Sequence, residues 1–349
     1  MSDAIPSTSQ TPSNPHLGNL TPEQALKYTE FKSLCEKEGV YEPGKTRPSL
    51  TEGTLIRYLR ARKYDPAEAL HQLKDTEAWR KANKLDELYD SFDVNAYEDG
   101  RKVYHQWTGR RDLTGRPLYV YEISTIKDNM AAFERSSKIA AVPATDGSAP
   151  IPGKLRVLFA LYENMSEYVL PLANAVPTRP NRDEPVFTTT HIVDLSNMSL
   201  MQYWNLKSHM QAASTLASAH YPETLERMFM VGTPSFFPTV WGWIKRWFDP
   251  VTTSKIFILS ADEVKPTLLQ HIRSEDIPKK YGGTLDWAFG DSPKVDEEIV
   301  KTAKGLSAEN PLRGPVRWVK QADGTAKVVA RGVADGKGRN EVVAECSHT

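Results

Sequence analysis

Asp249-Pro250-Val251-Thr252-Thr253-Ser254-Lys255 sets three hydroxyls and one ammonium directly before an apolar run, Lys255–Leu259. A lysine held at the start of a rigid strand is a point charge suited to a phosphate. Neighbouring hydroxyls add neutral hydrogen bonds. A second group of cations, Arg57, Arg60, Arg62 and Lys63, has no acid among residues 53–64. On a helix, positions 57, 60 and 64 fall near one face, while 62 and 63 point elsewhere. The cluster is a solvated face or an anion site. A third feature is aromatic: Phe236, Phe237, Trp241, Trp243, Trp247 and Phe248 crowd one short segment with Ile244, Lys245 and Arg246. Such a helix is apolar almost all round, so it is buried or faces lipid. Bases beside indoles suit a membrane interface. A core helix with two snorkelling bases is the alternative, and composition alone favours it.

Covalent chemistry has little support. The chain lacks G-x-S-x-G, H-E-x-x-H, the phosphate-cradling G-x-x-x-x-G-K-[ST] and G-x-G-x-x-G after a strand. Its eight histidines are scattered: His191 sits in an apolar strand, His209 on a helix, His220 just past it. Cys35 and Cys346 are the only cysteines and form no C-x-x-C pair. The expectation is a non-enzyme with no metal and no cofactor. The 44 Lys plus Arg balance 44 Asp plus Glu, which argues against bulk binding to nucleic acid. No run of 18 apolar residues occurs, so nothing is expected to span a bilayer.

These residues need elements to position them. In 349 residues, one large domain and one small one are the natural expectation. Residues 1–20, rich in Ser, Thr and Pro, read as a disordered tail. Residues 21–84 read as a small helical module, with Thr21-Pro22 and Asp65-Pro66 as helix starts. The acidic stretch 84–99 reads as a solvated linker face. Residues 85–290 read as an α/β domain with a mostly parallel sheet, because strands at Val103–Trp107, Leu118–Ile123, Val186–Asp194, Met228–Val231 and Lys255–Leu259 alternate with helices. Within it, 138–153 reads as a flexible insertion. Residues 291–349 read as a loosely ordered tail.

Together the motifs resemble the CRAL-TRIO lipid-transfer family, nearest its Sec-fourteen type. The resemblance rests on LIRYLRARKYD (55–65), Trp79-Arg80, DLTGRPLY (112–119), Tyr221-Pro222-Glu223, DPVTTSKIFIL (249–259) and IPKKYGG (277–283), in family order over about 21–287. It implies a helical amino-terminal module and an α/β domain whose apolar pocket takes acyl chains beneath a gating helix. Residues 236–248 would be that gate, in contact with membrane. Arg62, Thr252 and Lys255 would hold an inositol phosphate headgroup, supported by Glu223. Thr189 and His191 stand where the family holds a second lipid's headgroup. A phosphatidylinositol carrier is implied: monomeric, cytoplasmic, transiently on membrane surfaces, exchanging a second lipid or presenting its cargo to a lipid kinase. The rival is a sensor or adaptor for another hydrophobic ligand, such as a sterol.

Overall fold

A computed structural model describes residues 15–43, 50–140, 152–247, 250–307 and 312–347. Three helices open the chain: α1 (Pro22–Lys37), α2 (Glu52–Ala61) and α3 (Pro66–Ala82). Each starts on a side-chain cap, from Thr21, Thr51 and Asp65 respectively. These caps satisfy amide donors that the first helical turn leaves open. The three helices share a core of Phe31, Cys35, Leu55, Leu59 and Leu73. Of the expected tail, residues 1–14 lie outside the described residues, and 15–20 form a turn closed by Asn19 N on His16 O at 2.9 Å.

The expected solvated linker is instead two short helices, α4 (Leu85–Ser91) and α5 (Val94–Arg101). Their acids have partners: Asp86 and Asp90 hold Arg317, and Glu98 holds Arg101. Next come β1 (Gln106–Arg111), β2 (Pro117–Glu122) and α6 (Ile126–Ala140). Of the expected insertion, 141–151 lies outside the described residues. Then α7 (Gly153–Asn164) runs through a π-helical turn, Met165–Val169, into α8 (Leu170–Ala175). The rest of the domain is β3 (Thr189–Asp194), α9 (Leu200–His220), β4 (Leu225–Val231), α10 (Phe237–Ile244), a 3-10 turn Lys245–Trp247, α11 (Pro250–Ser254), β5 (Ile256–Ile258) and α12 (Ala261–Leu269).

The strands form one sheet in the order β1-β2-β3-β4-β5. Only β1–β2 is antiparallel; the other pairs are parallel. The back face packs Leu118, Val120, Ile192 and Phe229 against Leu268, Ile272 and Trp287. The front face carries Tyr119, His191, Val193 and Met228 beneath the helices. The apolar run at 255–259 supplies β5, which is the sheet's edge, and Phe257 and Ile258 are exposed.

Residues after 290 depart from the loose tail expected. They give α13 (Glu297–Thr302), β6 (Val316–Lys320), β7 (Ala326–Ala330), a small hairpin of β8 (Val333–Ala334) and β9 (Lys337–Gly338), and β10 (Glu341–Cys346). Strands β10, β7 and β6 form a second, antiparallel sheet. Trp318, Val316, Val328 and Cys346 share a core with Trp107, Tyr119 and Tyr168 of the main domain. Arg317 reaches Glu167 on the π turn at 3.2 Å.

Candidate functional site

The helical module is docked onto the turn that follows α9. Tyr58 Oη donates to His220 O at 2.9 Å, and Gln72 Nε2 to Ala219 O at 2.8 Å. Both satisfy carbonyls that a helix C-terminus leaves open. Trp79 stacks on His220 at 3.9 Å. Arg80 grips Glu163 of α7 with two bonds, 2.6 and 2.8 Å, and Tyr221 Oη donates to the same carboxylate at 2.7 Å. Trp79-Arg80 and Tyr221 thus fix where Glu223 emerges.

Glu223 leaves that turn with a φ of +56°. Its Oε2 accepts from Arg60 Nη2 at 2.9 Å and from Lys255 Nζ at 3.3 Å. Lys255 also donates to Leu225 O at 3.0 Å. Arg60 lies over the Phe187 ring, 5.4 Å from its centroid. Thr252, on α11, is one turn ahead of Lys255, whose amide bonds its carbonyl at 3.1 Å. Two cations on one carboxylate leave the trio with one net positive charge in a half-buried place. An anion gains most there, because low dielectric strengthens the attraction.

Glu223, Thr252 and Lys255 are therefore brought together, but with Arg60 rather than Arg62. Arg62 ends α2 on the surface, its Nη1 3.4 Å from Ala61 O. The chain then turns through left-handed Lys63 and Tyr64, φ 52° and 63°, just past the helix end. Arg57 lines a separate cavity of about 710 Å³ with Phe187, Arg182 and Trp318.

Thr189 and His191 bond each other, Oγ1 to Nε2, at 2.7 Å. His191 Nδ1 meets His105 Nδ1 at 2.9 Å, and the rings lie against Tyr119 and Tyr121. Nothing in the sequence singled out His105, a lone histidine just before β1. His191 keeps accessible surface. Yet burial drives its pKa well below the usual imidazole value, and that of His105 down to about 4. Leu158, Leu161, Met228 and Leu206, packed against the front-face core, are likewise only partly covered. Of the 21 residues of α9, only Tyr203 is fully buried.

A pH dependence follows. Folded His105 stays neutral down to about pH 4, whereas the unfolded group takes a proton near pH 6.5. Between those values the unfolded chain binds more protons, so stability falls as pH falls. Urea unfolding at pH 7 and pH 5 should show a loss of about 2 kcal/mol from this group alone. His105→Phe should reduce that slope.

The aromatic helix has two faces. Phe237, Val240 and Ile244 are buried with Val193, Tyr203 and Met230, and Phe236, Trp241 and Trp247 pack partly against them. Trp243, Lys245 and Arg246 face solvent, with Trp243 beside the exposed Trp204 at 5.6 Å. Phe248 lies outside the described residues. Before the helix, Gly232 has a φ of +62°, and a Cβ there would sit 2.0 Å from Ser196 Oγ. Only glycine fits that bend. Among the described residues, no helix is long and apolar enough to cross a membrane.

The family model for the CRAL/TRIO domain matches residues 101–283, and that for the CRAL/TRIO N-terminal domain matches 27–75. The chain belongs to the CRAL/TRIO family. It is 30% identical over 269 residues to the "SEC14 cytosolic factor" of Eremothecium gossypii, covering 77% of this chain and 79% of that one. The protein of the same name from Kluyveromyces lactis is 31% identical over 266 residues, 76% of this chain and 80% of its own. An Arabidopsis thaliana "Phosphatidylinositol/phosphatidylcholine transfer protein SFH9" is 26% identical over 73% of this chain and 42% of its own. A solved structure, "Crystal structure of Sfh5", matches with a TM-score of 0.55 at 14% identity, over 80% of this chain and 96% of that one. That likeness shows the fold, and the helical module and mostly parallel sheet are those of the CRAL/TRIO domain.

Proposed function

We propose that this CRAL/TRIO protein binds phosphatidylinositol and carries it between membranes, exchanging it for a second lipid. The observation that carries the reading is the Arg60–Glu223–Lys255 trio, two cations sharing one carboxylate. The lipid phosphate takes Lys255, Arg60 and the Thr252 hydroxyl, with Arg62 as an outer cation. Inositol hydroxyls find Glu223. Acyl chains enter the apolar interior of the α/β domain, where each buried methylene contributes about 0.8 kcal/mol. The printed names of relatives point the same way, towards phosphatidylinositol and phosphatidylcholine transfer. No bond is made or broken, so the protein acts as a carrier, not an enzyme, and needs no cofactor beyond its lipid. It works as a cytoplasmic monomer that visits membranes and hands its cargo to a bilayer or a lipid kinase.

Vesicle-to-vesicle transfer of labelled phosphatidylinositol tests this. Acceleration by the wild-type protein is expected, and no acceleration overturns it. The gate is tested separately. Trp243→Ser with Trp247→Ser should slow exchange by about tenfold, as two indoles leave the interface. Because Trp247 also packs inward, Trp243→Ser alone is the cleaner variant: slower exchange with stability within about 0.5 kcal/mol of wild type. Unchanged exchange would remove Trp243 from the membrane contact.

A further inference from the structure

We propose that the cleft between the helical module and the second sheet is a separate lipid site, which takes a single-chain lipid with an anionic head: a lysophosphatidate or a fatty acid. The cleft holds about 710 Å³. That is the size of a small-molecule site, and such sites gather where structural units meet. Its walls are the start of α2, one face of the π turn and α8, the 177–187 loop, α13 and the second sheet. Leu17, Lys301, Trp318, Lys320 and Cys346 belong to those walls and lie outside 27–75 and 101–283, the stretches that match the family models. The cleft is therefore built in part from residues that the family domain does not supply. Phe187, whose ring carries Arg60 at 5.4 Å, also lines it, so the cleft neighbours the headgroup trio.

Charge selects an anion. Among the described residues, five cations line the cleft, Arg57, Arg179, Arg182, Lys301 and Lys320, against three acids. Each acid already has a cation: Glu52 has Lys32, Glu167 has Arg317 at 3.2 Å, and Glu298 has Lys301 at 3.1 Å. Arg179 is buried and donates to the backbone oxygens of Asn174, Asn181, Arg182 and Glu184. Burial holds its pKa below the usual guanidinium value; Glu184 offsets part of this, and nearby Arg182 adds to the lowering. Arg182 and Lys320 are exposed and make no ion pair among the described residues. An anion between such charges relieves their repulsion.

Shape selects one chain. Exposed Arg182, Lys301 and Lys320 stand at the mouth, whereas Leu170, Val186 and Trp318 are buried in the wall. A head at the mouth and a chain along Leu170, Pro171 and Ala175 match that gradient, and chain burial supplies the driving force. An 18-carbon chain needs about 540 Å³ at roughly 30 Å³ per carbon, the liquid volume of a water. One such chain fits and two do not. Ser166 Oγ, on the π turn, is buried in the same wall with no hydrogen-bond partner among the described residues. Leaving a buried hydroxyl unpaired is costly, and a lipid oxygen can take its proton. The two rings of the wall, Phe187 and Trp318, are buried, which leaves no open aromatic face for a nucleotide base.

The test is native mass spectrometry and titration calorimetry on the full chain, first incubated with phosphatidylinositol vesicles. The probes are 1-oleoyl lysophosphatidate, oleate and 1-oleoyl lysophosphatidylcholine, whose head is zwitterionic. One or both anionic lipids should bind, and the two arms tell a phosphate head from a carboxylate. Lysophosphatidylcholine should bind at least about tenfold more weakly. Arg182→Glu with Lys320→Glu, at two exposed positions, should weaken binding of the anionic lipid about tenfold, as two exposed attractions become repulsions. The same variant should transfer phosphatidylinositol at the wild-type rate. A species that carries one phosphatidylinositol and one single-chain lipid is expected. Binding of neither anionic lipid overturns the proposal. So does lysophosphatidylcholine that binds as well, an affinity that survives the double reversal, or a single-chain lipid that displaces phosphatidylinositol. Should the double variant fail to fold, the ratio between anionic and zwitterionic lipids decides. Failure of the carrier reading shows as a missing phosphatidylinositol mass, while binding that the double reversal weakens still stands.

Discussion

Lys255→Ala should cut phosphatidylinositol transfer about 30-fold or more, and Lys255→Ala with Arg60→Ala should bring it to background. Truncating one member of a buried, hydrogen-bonded charge pair costs about 2–5 kcal/mol, and each 1.4 kcal/mol is tenfold. Lys255 has a short, fixed tether: its carbonyl bonds Met228 N at 2.9 Å, which locks its backbone to β4. Arg60 is held by Glu223 and by the Phe187 ring. Arg62→Ala is the informative comparison, because Arg62 is exposed and makes no ion pair among the described residues. It should lower transfer by less than about threefold, the scale of an exposed ion pair. If Arg62→Ala abolishes transfer and Arg60→Ala does not, the headgroup lies outside the trio.

Trp318→Ala should destabilise the whole protein by about 3–5 kcal/mol, the cost of emptying a buried tryptophan site. Trp318 is buried on β6 beside the core that holds Trp107, Tyr119 and Tyr168. Its neighbour Arg317 joins Asp90 of α4 and Glu167 of the π turn. The second sheet therefore fastens the linker helices and α7–α8 together, which are the walls behind His105. Urea unfolding followed by far-ultraviolet circular dichroism reads the effect. A variant that unfolds at the wild-type midpoint would mean that the last sixty residues are an appendage.

The sequence disclosed more of the first 290 residues than of the rest, for physical reasons. Thr21, Thr51 and Asp65 are local caps, and each opens the helix read from it. Asp112 is local too: its Oδ1 accepts from Thr114 N and Arg116 N and so builds the turn between β1 and β2. The second sheet is not local. Its strands are short, and the apolar face of β6 is completed by Tyr168 and Trp107, well over a hundred residues away. Asp86 and Asp90 looked solvated because their partner, Arg317, is as remote.

Within the site, Lys255, Glu223 and Thr252 were legible from motif order. The resemblance placed Arg62 at the headgroup, at the helix end that left-handed Lys63 and Tyr64 follow, whereas the cation that meets Glu223 is Arg60. Only its spacing from Arg57 hinted at the face it shares. His105 was hidden more deeply. Its meeting with His191 depends on β1 and β3 flanking β2, a pairing that neither strand encodes alone. The aromatic helix was ambiguous in composition because it has two unlike faces. One face closes the core and the other carries Trp243, Lys245 and Arg246 outward.

The central claim is that this chain holds one phosphatidylinositol with its headgroup at Lys255. Native mass spectrometry after incubation with phosphatidylinositol-containing vesicles tests it most directly. The expected spectrum shows one added phosphatidylinositol per chain, lost in the Arg60→Ala, Lys255→Ala double variant. A protein that emerges without inositol lipid, or a double variant that retains it, would contradict the account.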